Sequence, residues 1–406
     1  MIATTRKRVR PAAVLAALFA GAFVMGCAEM LVVGMIDLIA ADLSVSLAAA
    51  GALVTANALG LAIGGPLLTF LTTRFDRRQV LLATASVFLA ANLLPALFAD
   101  YPMFLVARVV IGAAQGLFIA AAMVTATSIV PPERTGRAMS VVISGFATSS
   151  ALGLPIGTLL GQSVGWRGSF VAVVIVAAAV LVVLFVVLPS VPTDAGSGAV
   201  GQARHAFAPR VLAVLSVSFL TFAAMLAAIT YLVPFLAELT GLTGPLVTVY
   251  LLVYGISTTL GSAIGGRFAD ANAARMLIVG ALGVLISLGA LLLFGGNPWI
   301  VGLSVLGIGM LGMGTAPSIQ HRVVALAGPG APLAASLPAS AVNVGIAFGS
   351  LAGGIALEQW GVAFAVIVGM GIAVVAIVVA WGTSFLQAPA ASGRPVEAGS
   401  AGVRRR

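Results

Sequence analysis

Charged residues are almost missing from twelve stretches of this chain, each about as long as a helix that crosses a bilayer. A span needs roughly 20 mostly apolar residues, rising ~1.5 Å each. The runs fall at residues 12–36, 48–72, 79–98, 103–130, 139–164 and 169–188, then at 211–236, 245–264, 275–294, 298–319, 337–357 and 362–381. Charged residues make up only 8% of the 406 residues and apolar ones 61%, against ~25% charged in a soluble domain. So few charges cannot cover a water-facing surface of this size, and lipid must face most of the exterior. The pattern predicts an all-α membrane protein.

Between the two sets of six runs lies the one long polar interior stretch. The expected organisation is a tail at 1–11, a six-helix half at 12–188, a linker at 189–210, a second half at 211–385 and a tail at 386–406. The gaps alternate in charge. One set carries Arg6, Lys7, Arg8 and Arg10; Arg74, Arg77 and Arg78; Arg134 and Arg137; Arg204 and Arg210; Arg267 and Arg275; Arg322; and the arginines of the last tail. The other set carries Arg167 beside Asp42, Asp100, Glu238 and Glu358. Basic loops stay in the cytoplasm, so both termini are expected inside, which requires an even number of spans. The net charge of +9 sits in short gaps rather than on one face, which argues against nucleic acid. The lone Cys27 lies inside a run and excludes an internal disulfide. The first run is too long for a signal-peptide core of ~7–15 residues. All four tryptophans fall at run ends, where the membrane interface favours them.

The halves look duplicated. The basic gap Thr73-Arg74-Phe75-Asp76-Arg77-Arg78 follows the second run, and Gly266-Arg267-Phe268-Ala269-Asp270, continuing to Arg275, follows the eighth. Thr73 and Asp270 are 197 positions apart (270 − 73). Tandem halves commonly enclose a site near the bilayer midplane. Two further strings stand out. The fourth run holds Arg108 four residues before Gly112, although an Arg inside a span costs ~2.5–3.5 kcal/mol on insertion scales. The fifth holds Gly153, Pro155, Gly157 and Gly161, with small residues that let another helix approach; Gly345, Gly349 and Gly353 repeat that spacing in the eleventh run.

These residues together resemble the major facilitator superfamily, and within it the twelve-helix drug/proton antiporters, over about residues 12–381. The resemblance implies twelve transmembrane helices in two pseudo-symmetric six-helix halves. It assigns Arg74, Arg77, Arg78, Gly266, Asp270 and Arg275 to loops that gate the cytoplasmic side. The first-half loop departs from the family pattern, with Thr69, Thr73 and Asp76 at its Gly, acidic and second Gly positions. The resemblance links Arg108 to proton coupling, and Gly153, Pro155, Gly157 and Gly161 to the antiporter signature.

The first run contributes Glu29 and Asp37. Glu29 lies deep in the run, where the chloramphenicol, sugar and nucleoside exporters have a similar acid. Asp37 is either a further cavity acid or a solvated loop residue, and its position fits the loop better. Glu29 and Arg108 stand seven and five residues from the outer ends of their runs, about 10 and 7.5 Å deep, so a coupled pair is expected. Met225, Tyr231, Phe235, Tyr254, Met310 and Met313 are expected to line the cavity and suit an uncharged or amphiphilic ligand. The expected function is proton-driven efflux of small drugs across a bacterial inner membrane by alternating access. Chloramphenicol-like antibiotics come first, with sugars or nucleosides as the alternative. A membrane-embedded enzyme or a channel fits less well, since the intramembrane charges are few and the duplicated halves form a cavity within one chain. The expected partners are the small-molecule substrate, protons and the lipid bilayer, with a monomer as the working unit. No metal-ligand cluster or cofactor motif appears, and the proton gradient is the expected energy source.

Overall fold

The computed structural model of the chain describes residues 10–72, 74–131, 134–191, 204–328, 334 and 337–387, and the regular structure among them is helical. In the first half α1 is Pro11–Leu43, α2 Leu47–Leu71, α3 Arg77–Leu97 and α4 Tyr101–Ser128. A helix from Thr135 to Val187 turns at Gly165 into α5 (135–164) and α6 (166–187). In the second half α7 runs Pro209–Ile229 and resumes at Leu232–Phe235. Then come α8, Pro245–Phe268; α9, Asn272–Leu293; α10, Pro298–Ala327; α11, Leu337–Trp360; and α12, Val362–Thr383. Among the described residues eleven stretches are long and apolar enough to span a membrane. One of these, Pro155–Val187, passes through the Gly165 corner, so α5 supplies the twelfth leg.

Local chemistry sets the boundaries. Pro11, Pro209, Pro245 and Pro298 open helices, where the missing N–H is no loss. Ser46, Asp76, Asp100 and Asn297 accept from the first free N–H groups of α2, α3, α4 and α10. Gly165 adopts φ 77°, ψ 159°, and a Cβ there would meet no neighbour. The corner therefore needs glycine for its backbone conformation alone. The first span continues to Leu43, seven residues past the expected end near 36. Asp37 and Asp42 are exposed and do not stop it; the left-handed Ser44 (φ 54°) does. Residues 1–9, Thr73, 192–203 of the linker and 388–406 of the last tail lie outside the described residues.

The duplication reappears as packing. A Cβ on Gly60 of α2 would strike the Val109 carbonyl of α4, and one on Gly112 the Asn57 carbonyl. In the second half Gly261 of α8 meets the Met310 carbonyl of α10 in the same way, and Gly309 approaches the Tyr254 carbonyl. The rail of α5 on α1 (Gly153 at Cys27, Gly157 at Leu31) matches α11 on α7 (Gly349 at Ala223, Gly353 at Ala227), 196 positions later (349 − 153). Helices α1 and α7 also break at equivalent points. Met35 has φ −134°, ψ 21° and Tyr231 φ −109°, ψ 22°, again 196 positions apart (231 − 35). The expected architecture of two pseudo-symmetric six-helix halves is the observed one.

One end of the bundle collects Arg10, Arg74, Arg78, Arg210, Arg275 and Arg322 and is called the basic end; the other, with Asp42, Arg167 and Glu358, is the far end. Trp299, Trp360 and Trp381 are exposed near helix ends. Trp166 departs from the interface pattern: it is buried, stacked on Phe104 at 5.6 Å and edge-on to Phe170.

Candidate functional site

Inside the first half, a polar seam crosses a mostly apolar core. Arg108 of α4 is 0% exposed and Glu29 of α1 is 6% exposed. The expected ion pair between them is not formed. No Arg108 nitrogen lies within 4.0 Å of the Glu29 carboxylate; among the described residues the ion pair is Arg167–Asp42. The guanidinium instead donates to three backbone carbonyls: Nη1 to Ala28 at 2.9 Å, Nη2 to Glu29 at 3.2 Å and Nε to Leu53 at 3.2 Å. A planar fork with donors on all its nitrogens can hold two helices at once. Arg108 thus ties α4 to α1 and α2, and Glu29 Oε2 is left buried without a hydrogen-bond partner.

Two amides extend the seam toward the basic end. Gln115 Nε2 donates to the Met25 carbonyl at 2.6 Å, and Asn57 Nδ2 donates to Gln115 Oε1 at 3.0 Å. Gln115 is 0% and Asn57 1% exposed, and Asn57 Oδ1 has no partner. Sequence reasoning passed over both, because a neutral amide hardly interrupts an apolar run. The available signal was two of the few amides in the spans, on helices already expected to touch. At the equivalent second-half positions stand Met225 for Glu29, Val305 for Arg108, Tyr254 for Asn57 and Gly312 for Gln115. Among the described residues, this charged and amide seam has no counterpart at those second-half positions.

The apolar candidates occupy other places. Met225, Tyr231, Phe235 and Tyr254 are buried in packing. Met225 Sδ fills the space over Gly312, and the Phe235 ring lies against Gly295. Met313 is half-buried, while Met310 lines a groove with α8 and α9 near the basic end. Asp37 sits exposed on the helical turn after the α1 break, in a helix rather than the expected loop.

The two halves are joined at the far end. Thr55 Oγ1 donates to the Ala347 carbonyl at 3.2 Å, Ser350 Oγ to the Gly51 carbonyl at 3.1 Å, and Gln162 Nε2 to the Gly244 carbonyl at 3.3 Å. Tyr231 donates to the Ser350 carbonyl at 2.9 Å, and its hydroxyl lies between Gly51 and Gly354, where a Cβ on either would overlap it. Asp42 pairs with Arg167 at 2.5 Å and accepts from Trp166 Nε1 at 3.2 Å.

At the basic end the arginines bond within their own half. Arg78 Nη2 donates to the Phe185 carbonyl at 2.9 Å, Arg210 Nε to Leu326 at 2.7 Å and Arg322 Nη2 to Thr383 at 2.6 Å. These cations meet the carbonyl ends of α6, α10 and α12, where a helix dipole favours them. Arg77 is buried and reaches the Thr72 carbonyl, Asp76 bonds Ser190, and Arg74 is exposed. Gly266 has open space around it and Arg275 is exposed. The side chain of Asp270 lies outside the described residues. Gly153, Gly157 and Gly161 form the α5 rail on α1, and the helix runs through Pro155 without a break.

Comparison with known proteins places this arrangement. Residues 18–332 match the family model of the Major Facilitator Superfamily. The chain is 31% identical over 344 residues to the inner membrane transport protein YdhP of Escherichia coli (strain K12), covering 84% of this chain and 87% of that protein. It is 32% identical over 334 residues to a chloramphenicol resistance protein of Streptomyces lividans, covering 80% and 84%. The crystal structure of a bacterial homologue of the human lysosomal transporter Spinster, inward-facing and occupied, superposes with a TM-score of 0.77 at 15% identity, covering 91% of this chain and 96% of that one. With twelve helices in duplicated halves, a far-end seal and this matching sequence, the chain belongs to the Major Facilitator Superfamily and is a multi-pass membrane transporter.

Proposed function

We propose that the protein exports small, uncharged or amphiphilic drugs across a bacterial inner membrane, driven by protons moving inward, with chloramphenicol-like antibiotics as the first substrates to test. The observation that carries this reading is Glu29: a carboxyl 6% exposed, with Oε2 unpartnered, on a seam that has no counterpart at the equivalent second-half positions. A buried carboxylate without a direct ion pair is expensive to keep ionised, so a group so placed, with Arg108 nearby, is suited to take and release a proton as its surroundings open and close. The relative that confers chloramphenicol resistance supports the choice of cargo.

Positive charge retained in the cytoplasm makes the basic end cytoplasmic, with both termini inside. The far-end contacts between the halves then close the outer side. Drug enters between the halves from the cytoplasmic side. Arg108 keeps α4 against α1 and α2 through the carbonyls of those two helices while Glu29 exchanges its proton. Opening requires the Thr55–Ala347 and Ser350–Gly51 bonds to break and the halves to rock apart at the far end. The working unit is the single chain, with no cofactor beyond the proton gradient.

The test is transport into inverted vesicles with an imposed pH gradient, alongside growth of a pump-deleted host on antibiotics, sugars and nucleosides. The parent should concentrate chloramphenicol and protect the host. Glu29→Gln should lose uphill transport and keep part of downhill exchange. A parent that protects against no antibiotic would sink the drug reading. A Glu29→Gln variant that concentrates drug as well as the parent would sink the coupling role.

A further inference from the structure

The duplicated halves differ at one pair of arginines. Arg78 and Arg275 occupy equivalent positions, 197 apart (275 − 78), in the first turns of α3 and α9. Arg78 is held in place: Nη2 donates to the Phe185 carbonyl at 2.9 Å and the guanidinium lies 5.6 Å from the centre of the Phe185 ring, with Nε buried and unpartnered. The position equivalent to Phe185 is Gly382, which offers no ring, and the end of α12 is already taken by Arg322, bonded to the Thr383 and Leu386 carbonyls. Arg275 is consequently exposed, and its guanidinium makes no hydrogen bond or ion pair among the described residues.

Beside Arg275 is a groove of about 360 Å³ between α8 and α9, floored by α10. Its walls are apolar: Ile264 and Phe268 from α8, Val279 from α9, Met310 and Leu311 from α10. Ile264, Phe268 and Val279 are exposed. On a chain whose exterior faces lipid, the groove runs from a cation at the basic end into the hydrocarbon depth. A hydrocarbon chain matches the walls and a phosphate matches the rim.

We propose that this groove is a binding site for an anionic phospholipid, with an acyl chain between α8 and α9 and its phosphate on Arg275. Both parts are required, so neither a soluble phosphate nor an uncharged tail should bind as well. The lipid would also fill the wedge between two helices that meet at Asn272, where the backbone is extended (φ −161°, ψ 84°).

The test is thermal unfolding of the purified full-length protein in neutral detergent, titrated with phosphatidylglycerol, phosphatidylcholine or glycerol 3-phosphate. Phosphatidylglycerol should stabilise the parent at the lowest concentration and glycerol 3-phosphate should not. Losing a charged hydrogen bond weakens binding by roughly ten- to a hundredfold, so Arg275→Gln should raise the half-maximal phosphatidylglycerol concentration by that factor. Val279→Trp, at an exposed position, should plug the groove and weaken both lipids. Arg74→Gln, an exposed arginine of the equivalent first-half loop, should titrate like the parent. If Arg275→Gln titrates like the parent, if glycerol 3-phosphate protects as well as the lipid, or if Val279→Trp changes nothing, the site is wrong. Should Arg275→Gln fail to fold, the Val279→Trp and glycerol 3-phosphate arms decide the matter.

Discussion

Replacing Gly51 by alanine should pry the far end open. A Cβ built there overlaps the Tyr231 hydroxyl and lies 2.7 Å from Cζ and 2.9 Å from Cε1 of the same ring. The ring cannot retreat cheaply, because Tyr231 is 1% exposed and its hydroxyl is bonded to the Ser350 carbonyl. Overpacking of this kind costs ~1–3 kcal/mol. Gly51 is on α2 and Tyr231 on α7, in different halves, so the strain exists only while the far end is closed. The whole amount then appears as a shift between states, roughly five- to 150-fold toward the far-end-open form. Spin labels at Ala41 and Gln359, both exposed at the far end on opposite halves, report this directly by pulsed electron spin resonance in a Cys27→Ala background. Gly51→Ala should move much of the distance distribution to a longer population. Adding Tyr231→Phe, which removes the nearest clashing atom, should restore part of the short one. A distribution unchanged by Gly51→Ala would refute the idea that α2, α7 and α11 form the seal.

Three other outcomes are expected. Arg108→Lys should lower the unfolding temperature and transport together, because one ammonium cannot replace three bonds to carbonyls on two helices; losing two charged hydrogen bonds is worth ~3–6 kcal/mol, and parent-like melting would count against the tie. Gly157→Leu should insert and express normally yet fail to transport, since even a Cβ would press on Leu31 of α1; normal uptake into vesicles would mean the rail tolerates separation. A reporter fused at Ala195 should be active only on the cytoplasmic side, and activity on the outer face would invert every assignment of inside and outside.

The helices were legible because a span needs only length and a lack of charge, and both are local properties. The Gly165 and Asn272 corners were legible only as gaps between runs, because a conformation such as φ 77° at one glycine among many leaves no trace in composition. Glu29 and Arg108 stood out because a charge in a span is rare. They lie close enough to be electrostatically coupled without a salt bridge, for a reason that spacing cannot express: the guanidinium bonds to backbone carbonyls of α1 and α2. In the sequence Tyr231 and Phe235 look like cavity residues, because aromatic rings suit ligands as well as neighbours. Only the three-dimensional structure shows that glycines at 51, 354 and 295 had made room for them. Gln115 and Asn57 were missed because uncharged amides do not disturb a hydropathy pattern, although buried amides need partners as surely as charges do.

The place of Arg108 also fixes what electricity can do to this carrier. Its three carbonyl partners belong to the same half, so its charge travels with that half as one body. Moving an elementary charge across the whole membrane is worth ~2.3 kcal/mol per 100 mV. Even a displacement of one helical turn, ~5.4 Å of a ~30 Å core, samples about a sixth of that drop, or ~0.4 kcal/mol. That is smaller than the ~0.5–1.5 kcal/mol of a single hydrogen bond in the far-end seal. The membrane voltage therefore barely acts on the protein through this charge, and under the proposed mechanism it enters the work of transport through the protons that make the entire crossing.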